Sequence, residues 1–160
     1  MDLEERAHSE HADALRLWLR MLTCTQLMEK QLRGQLRDAF NTTLPRFDLM
    51  AQLERAPAGL KMRELSQRMM VTGGSVTGIT DQLVAEGLVE RSTPGDDRRA
   101  YLVRLTPAGR TSFVAMARAH EDWVVQAFAQ LGSQDIAALH GLLGRVKTSL
   151  QAQIDTPIHH

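Results

Sequence analysis

The sequence predicts a mainly α-helical fold that carries one small β-hairpin. Apolar residues recur at spacings of three and four over long stretches at both ends of the chain, as amphipathic helices require. Between them, residues 60–110 contain two short helix signals separated by a four-residue break, and then two strand-like runs around a charged loop. Aromatic residues make up only 4% of the chain, which favours aliphatic helix packing over a β-rich core. Helix, turn, helix and hairpin in this order predict a winged helix-turn-helix lobe with helices on either side.

The first element is one long helix over residues 8–40. Its apolar stripe consists of Leu15, Trp18, Leu19, Leu22, Met28, Leu32 and Leu36. Residues 41–43 end this helix, and Pro45 suits the first position of the next one because its missing N–H would be unpaired there. The buried side of this second helix is expected to hold Phe47, Leu49, Met50 and Leu53.

The helix-turn-helix follows, with a short helix over residues 62–70 and a second over residues 75–86. Thr72 is the expected N-cap of the second helix. Its inward stripe is Val76, Ile79, Leu83 and Val84, and its outward residues are Ser75, Thr77, Gly78 and Thr80. Small residues near such a helix start suit contacts with base edges and phosphates, so Thr72 and these four outward residues are candidate DNA contacts. The alternative is that they are ordinary exposed helix residues.

The hairpin runs over residues 88–91 and 100–105, with the turn signal Pro94-Gly95 between its strands. Arg98 and Arg99 follow the turn and are candidate DNA contacts, although charges at a hairpin tip are often only solvated. Asp97 can orient one of these arginines through a paired hydrogen bond.

Two helices complete the chain. Thr106 is the expected cap of a helix that begins at Pro107 and runs to about Leu131, and Ser133 is the expected cap of the last helix. The last helix carries a heptad-like stripe, which needs a partner helix: Ile136, Leu139, Leu143, Val146 and Leu150. We therefore expect residues 1–44 and 107–160 to supply dimerisation helices around a lobe at 45–106, all in one intertwined domain.

Composition excludes several classes of protein. The 19 basic and 19 acidic residues cancel, which argues against a non-specific nucleic-acid coat, so any DNA binding must depend on placed arginines. The single cysteine excludes an intramolecular disulfide framework. No apolar run reaches the ~18 residues of a membrane span, and the acidic N-terminus lacks a signal-peptide pattern. We expect a cytoplasmic protein with no membrane partner.

Catalytic and metal-binding patterns are absent from the sequence. It has no phosphate-binding loop, no His-x-x-x-His pair and no nucleophile pattern in a supporting context. His8, His11, His120 and His140 form no compact ligand set with Cys24. The sequence therefore predicts a protein that is not an enzyme, with no cofactor and no metal.

At this point the chain resembles the MarR family of transcriptional regulators. The resemblance is carried by residues 65–72, 74–83 and 86–91, then by Asp96-Asp97-Arg98-Arg99-Ala100 and by residues 105–110 (Leu-Thr-Pro-Ala-Gly-Arg). The wing differs at residues 92–95, where many members carry an Asp-Pro pair. The resemblance implies a homodimer that binds double-stranded operator DNA. The helix at residues 75–82 would enter the major groove and the wing arginines the minor groove, and a small-molecule effector would bind between the dimer helices and the DNA-binding lobe.

Residues 41–50 and 71–75 also resemble a subgroup that represses aromatic-acid catabolism and senses hydroxycinnamoyl-CoA or other aryl-CoA thioesters. On this resemblance we expect a ligand-responsive repressor of a pseudo-palindromic operator that is released by the thioester. The expected pocket lining is Trp18, Met21, Cys24, Phe47, Met50, His120 and Trp123, and the expected phosphate partners are Arg16, Arg20 and Arg46. The alternative is that the apolar members of this set are plain core.

Cys24 raises a further alternative, because some members of the family sense peroxide through a cysteine in this part of the first helix. A reactive thiol needs cationic neighbours and exposure. We expect Cys24 instead to be a small buried residue that could line the pocket. A redox-responsive regulator and a helical interaction module that does not bind DNA remain the rival functions.

Overall fold

The computed structural model describes residues 11–70, 74–92 and 101–156. The described elements are α1 (Ala12–Phe40), α2 (Leu44–Glu54), α3 (Met62–Arg68), α4 (Val76–Ala85), β1 (Val89–Ser92), β2 (Leu102–Leu105), α5 (Pro107–Ala127) and α6 (Ser133–Asp155). The predicted helical fold with a small hairpin is confirmed. The chain divides into two compact units, Met1–Glu121 and Asp122–His160, which are described separately.

In the first unit, α1 and α2 are separated by a short corner. Asn41 ends α1 in the left-handed conformation (φ 50°), and its N–H donates to the carbonyl of Arg37 at 3.0 Å. The Thr43 hydroxyl then caps α2 by accepting the Arg46 N–H at 3.3 Å. Pro45 occupies the second position of α2 instead of the predicted first, since α2 begins at Leu44.

Helix α2 is the centre of the first unit and packs against α1, α3, α4 and β2. It buries residues around most of its circumference, among them the polar Asp48 and Gln52. The most completely buried apolar side chains come from α2 itself and from the elements around it: Leu36, Leu49, Met50, Leu53, Leu65, Leu83, Val89 and Val103. Burial of aliphatic surface of this kind is the main stabilising contribution to the fold.

A set of backbone bonds fixes α4, the hairpin and α5 to one another. Gly87 (φ 75°) ends α4 with the paired bonds of a Schellman turn, from Gly87 N–H to Val84 O and from Leu88 N–H to Leu83 O, both 3.0 Å. The Thr106 N–H donates to Leu88 O at 3.1 Å, and its hydroxyl donates to Gly87 O at 2.6 Å. The end of α4 is therefore bonded directly to the residue that precedes α5.

The hairpin pairs β1 with β2 in antiparallel register, with Val89 opposite Leu105 and Ser92 opposite Leu102. Leu60 adds a third short segment, because its N–H and C=O both bond to Val103, at 2.9 and 2.8 Å. The segment that leads into α3 is thus attached to the wing sheet.

The second unit contains the end of α5 and helix α6. Helix α6 buries none of its residues, and its exposed apolar side chains are Ile136, Leu139, Leu142, Leu143, Val146, Leu150 and Ile154. The N-cap of α6 is Gly132 where we expected Ser133, and α5 ends at Ala127, four residues before the predicted end. No helix among residues 11–70, 74–92 and 101–156 is both long enough and apolar enough to span a membrane.

Candidate nucleic-acid interface

Helix α4 has one buried face and one exposed face. Ile79 and Leu83 are buried against the core, whereas Ser75 and Thr77 are exposed and Gly78 is half-buried. The Ser75 hydroxyl accepts the Gly78 N–H at 3.3 Å and is the N-cap of the helix. The expectation that Thr72 caps this helix is wrong, and Thr72 itself lies outside the described residues. Ser75 and Thr77 are therefore the hydroxyl groups that this face offers to a partner.

Thr80 is the one predicted contact on α4 that the structure contradicts. Its side chain is fully buried, its hydroxyl donates to the carbonyl of Val76 at 2.7 Å, and it lies 3.9 Å from the sulfur of Met62. The cause is helical spacing: Thr80 is three residues before Leu83 and shares its inward face. Its polarity had suggested the outward face, but a threonine can satisfy its hydroxyl within its own helix.

Arg46 joins α2 to α4. Its side chain is 16% exposed; Nε donates to the Thr42 hydroxyl at 3.2 Å, Nη1 to Gln82 Oε1 at 3.4 Å, and Nη2 to Glu86 Oε2. Without an effector, the Arg46 guanidinium bonds to three acceptors of its own chain, and its contact with an effector's phosphates stays a prediction. In the single chain Arg46 holds the C-terminal half of α4 against α2.

A second arginine holds α4 from the side of the wing. Arg91 of β1 pairs with Asp81, and its guanidinium lies 5.6 Å from the centre of the Tyr101 ring. The hydrogen bond to Asp81 raises the pKa of Arg91. The carboxylate of α4, Asp81, and that of its C-cap residue, Glu86, are thus paired with arginines of neighbouring elements. Sequence reasoning missed these pairs because their partners lie too far away in sequence for any helical spacing to reveal them.

Asp48 positions the chain that follows α3. It is buried on α2, where one oxygen accepts the Gln52 side-chain amide at 3.1 Å and the other accepts the Met70 N–H at 2.6 Å. A buried carboxylate that accepts several N–H donors makes strong charge-assisted bonds. The C-terminal end of α3 is therefore attached to the central helix just before the turn that leads to α4.

Only part of the predicted pocket lining comes together. Phe47 is buried, and its ring lies 4.7 Å from the ring of His120 and 5.5 Å from that of Phe113, centre to centre. Burial lowers the pKa of His120. Met50 is almost completely buried and belongs to the core. The sequence had not suggested Phe113 for this cluster.

The α1 members of the predicted lining do not join this cluster as buried residues. Trp18 and Cys24 are exposed and Met21 is half-buried, and the two arginines, Arg16 and Arg20, are exposed. The expectation that Cys24 is buried is wrong for the single chain, because α1 buries residues only from Leu32 onwards and Cys24 is exposed. Trp123 belongs to the second unit and is half-buried there. Arg98 and Arg99 lie outside the described residues.

Comparison with known proteins identifies the fold and the family. The family model described as MarR family matches residues 40–100. A MarR family transcriptional regulator from Silicibacter pomeroyi is 30% identical and superposes with a TM-score of 0.78 over 90% of this chain and 99% of that one. A mutant MarR from E. coli, crystallised with operator DNA, is 24% identical, with a TM-score of 0.71 over 87% of this chain and 99% of that one.

Among curated proteins, a putative transcriptional regulatory protein for the hcr operon of Thauera aromatica is 30% identical over 97 residues, which is 61% of this chain. An uncharacterized HTH-type transcriptional regulator, YdgJ of Bacillus subtilis, is 25% identical over 105 residues, which is 66% of this chain. The matches span 63% of the length of YdgJ and 58% of that of the Thauera protein. Taken with the full-length structural match, they show that the chain belongs to the MarR family of transcriptional regulators.

Proposed function

We propose that the protein is a homodimeric, ligand-responsive repressor that binds a pseudo-palindromic operator in the cytoplasm. In this proposal α4 enters the major groove with Ser75 and Thr77 towards the bases, and Arg98 and Arg99 of the wing reach the minor groove. The observation that carries it is the outer face of α4, which presents hydroxyl groups while the carboxylates of Asp81 and of the C-cap Glu86 are paired with arginines. A helix without unpaired acidic side chains can approach a phosphate backbone with little repulsion.

The proposed dimer uses the flanking helices, residues 1–44 and 107–160, around the lobe at 45–106. The support for it is the apolar side of α6, whose isoleucines, leucines and valine are exposed in the single chain. A continuous apolar stripe on a terminal helix is stabilised when a partner helix covers it. A two-fold dimer should then protect two half-sites about 10 bp apart, centre to centre.

The proposed role of α4 is tested by two threonines of the same helix. Thr77→Val removes an exposed hydroxyl from the proposed DNA face, whereas Thr80→Val removes a buried one that bonds within its own helix. We expect Thr77→Val to change operator preference at one base position by about 1–3 kcal/mol. Thr80→Val should leave base preference unchanged, even if it lowers stability by about 1 kcal/mol. Selection of bound sequences from a randomised operator measures the base preference of each variant. An identical preference for both variants would refute the assignment of Thr77 to the DNA face.

For the effector, we propose an aryl-CoA thioester of the hydroxycinnamoyl-CoA type. The aromatic cluster of Phe47, Phe113 and His120 supports a site for a flat acyl group, since apolar and aromatic side chains favour such ligands. The mechanism is a population shift, in which DNA and effector stabilise different spacings of the two α4 helices. Titration of the thioester and of the free aromatic acid into the protein–DNA complex should release DNA only with the thioester. Equal release by the free acid would show that the CoA portion is not recognised.

A redox-responsive regulator is the second candidate, and the exposure of Cys24 is the observation that favours it. Peroxide treatment should then weaken operator binding in the wild type and leave Cys24→Ser unaffected. Mass spectrometry monitors the oxidation of the thiol. If operator affinity stays constant while the thiol is oxidised, this function is excluded.

A further inference from the structure

The corner between α1 and α2 carries an open cleft whose lining includes no residue of the aromatic cluster. Its volume is about 340 Å³, and its lining is Arg33, Arg37, Asn41, Thr42, Thr43 and Leu44. This volume is at the small end of the range for ligand pockets in proteins. The lining contains two guanidinium groups and no carboxylate, so the cleft favours an anion.

The two arginines are placed to act together. Arg33 and Arg37 are four residues apart on α1, which puts both side chains on one face of the helix. Arg33 has a carboxylate neighbour, Glu29, at 3.7 Å, but both side chains of this pair are nearly 40% exposed. An exposed pair of this kind contributes little, whereas bidentate bonds from guanidinium to phosphate are stronger and more directional. A phosphate group in the cleft can therefore compete successfully for Arg33.

The cleft is connected to α4 by two side chains. The Thr42 hydroxyl lines the cleft and accepts the Arg46 Nε–H at 3.2 Å. The other nitrogens of Arg46 bond to Gln82 and Glu86 of α4. A phosphate that binds the Thr42 hydroxyl and moves Thr42 away from Arg46, or that draws Arg46 towards itself, weakens the attachment of α4 to α2. The cleft is thus linked to α4 through the Thr42 hydroxyl and the Arg46 guanidinium.

We propose that this cleft binds a phosphate-bearing ligand through Arg33 and Arg37, and that Thr42 and Arg46 transmit its occupancy to α4. The occupant is a phosphate or diphosphate group of a small molecule. The regulatory part of the proposal rests on the proposed function, in which a ligand releases the protein from DNA. The binding part does not depend on it, because binding can be measured without DNA.

The binding test uses inorganic pyrophosphate as the probe, titrated calorimetrically into the full-length protein in the absence of DNA. We expect the Arg33→Gln/Arg37→Gln double variant to bind pyrophosphate at least tenfold more weakly than the wild type. Lys30→Gln, which removes an exposed positive charge from the same helix outside the cleft, should bind as the wild type does. No detectable binding to the wild type, or equal weakening in Lys30→Gln, overturns the proposal.

The coupling test measures operator affinity with and without saturating pyrophosphate. The wild type should lose at least threefold in affinity, and Glu86→Gln, which weakens the bond from Arg46 to α4, should show a smaller loss while it binds pyrophosphate equally well. An equal loss in Glu86→Gln overturns the path through Arg46. If operator binding is absent altogether while pyrophosphate still binds through Arg33 and Arg37, the proposed function fails and the site remains.

The same double variant identifies the source of the phosphate. If the cleft holds a DNA backbone phosphate, the slope of log affinity against log salt for operator binding falls by roughly one unit for each phosphate that the variant no longer binds. We expect an unchanged slope, as a small-molecule site requires. A reduced slope overturns the assignment to a small ligand.

Discussion

Gly109 is a position where one methyl group should disrupt the junction between α4, the wing and α5. A Cβ at Gly109 would lie 1.9 Å from the carbonyl oxygen of Leu88 and 2.8 Å from its carbonyl carbon. Both are backbone atoms, so no side-chain rotation relieves the clash, and α5 would have to retreat by about 1 Å. That movement strains the bonds from Thr106 to Gly87 and Leu88 that fix the start of α5. Gly109→Ala therefore tests whether this junction holds the lobe together.

The expected loss is the balance of two costs and one gain. Overpacking against backbone costs about 1–3 kcal/mol, and each of the two strained Thr106 bonds contributes about 1 kcal/mol. The better helix propensity of alanine returns about 1 kcal/mol. We expect the free energy of unfolding to fall by about 2–4 kcal/mol. Urea unfolding followed by circular dichroism, at one fixed protein concentration, measures it.

Gly34→Ala is the matched control. Gly34 lies within α1, and no atom other than its own helix backbone and chain neighbours comes within 4 Å of the added Cβ. This variant should be neutral or up to about 1 kcal/mol more stable, for reasons of helix propensity alone. If Gly109→Ala unfolds at the same urea concentration as Gly34→Ala, the close approach of α5 to Leu88 is not a constraint on the fold.

Three further perturbations test single contacts. Asp48→Asn weakens the bond to the Met70 N–H, so we expect the free energy of unfolding to fall by about 1–2 kcal/mol and the hydrogen exchange of that amide to become faster. Protection of the amide as in the wild type would contradict the assigned bond. Because burial lowers the pKa of His120, the unfolded chain binds more protons below its ordinary pKa of about 6.5. Stability should therefore fall as the pH drops below that value, and His120→Gln should reduce the fall in urea midpoint between pH 7.5 and 5.5; an undiminished fall would assign it to other groups. Arg46→Met removes three hydrogen bonds, so it should lower stability by about 1–3 kcal/mol and weaken operator binding. The slope of log operator affinity against log salt should change by less than about one unit, because we assign Arg46 no contact with DNA phosphate. A larger change would make Arg46 a direct DNA contact.

The sequence was sufficient for the element order because each element carries its own local signal. The spacing of apolar residues in α1, the proline at the start of α2 and the Thr-Pro start of α5 depend only on neighbours in the chain. Their bounds are therefore predicted to within a few residues. The cap of α4 was misplaced by three residues because Thr72 and Ser75 are both good capping residues, and only the path of the chain decides between them.

The candidate site was less accessible to sequence reasoning, because its contacts join residues that are distant in the chain. Arg46 bonds to Glu86 across 40 residues, and Arg91 bonds to Asp81 across a helix end and a turn. Thr80 shows the other limit. Its polarity suggested the outer face of α4, whereas its position relative to Leu83 places it inside. Where residue type and helical phase disagree on a short helix, the phase has decided the burial.

Salt should also affect DNA binding through the protein itself, because it weakens the arginine–carboxylate pairs at α4. Asp81 is 59% exposed and Arg91 is 30% exposed, and an exposed pair is screened as ionic strength rises. Added salt thus displaces the protein from phosphates by counterion competition and at the same time weakens the pairing of Asp81 on the helix that we propose faces them. The two effects act in the same direction. A plot of the logarithm of operator affinity against the logarithm of salt concentration should therefore become steeper as salt rises. Asp81→Asn should make this plot straighter.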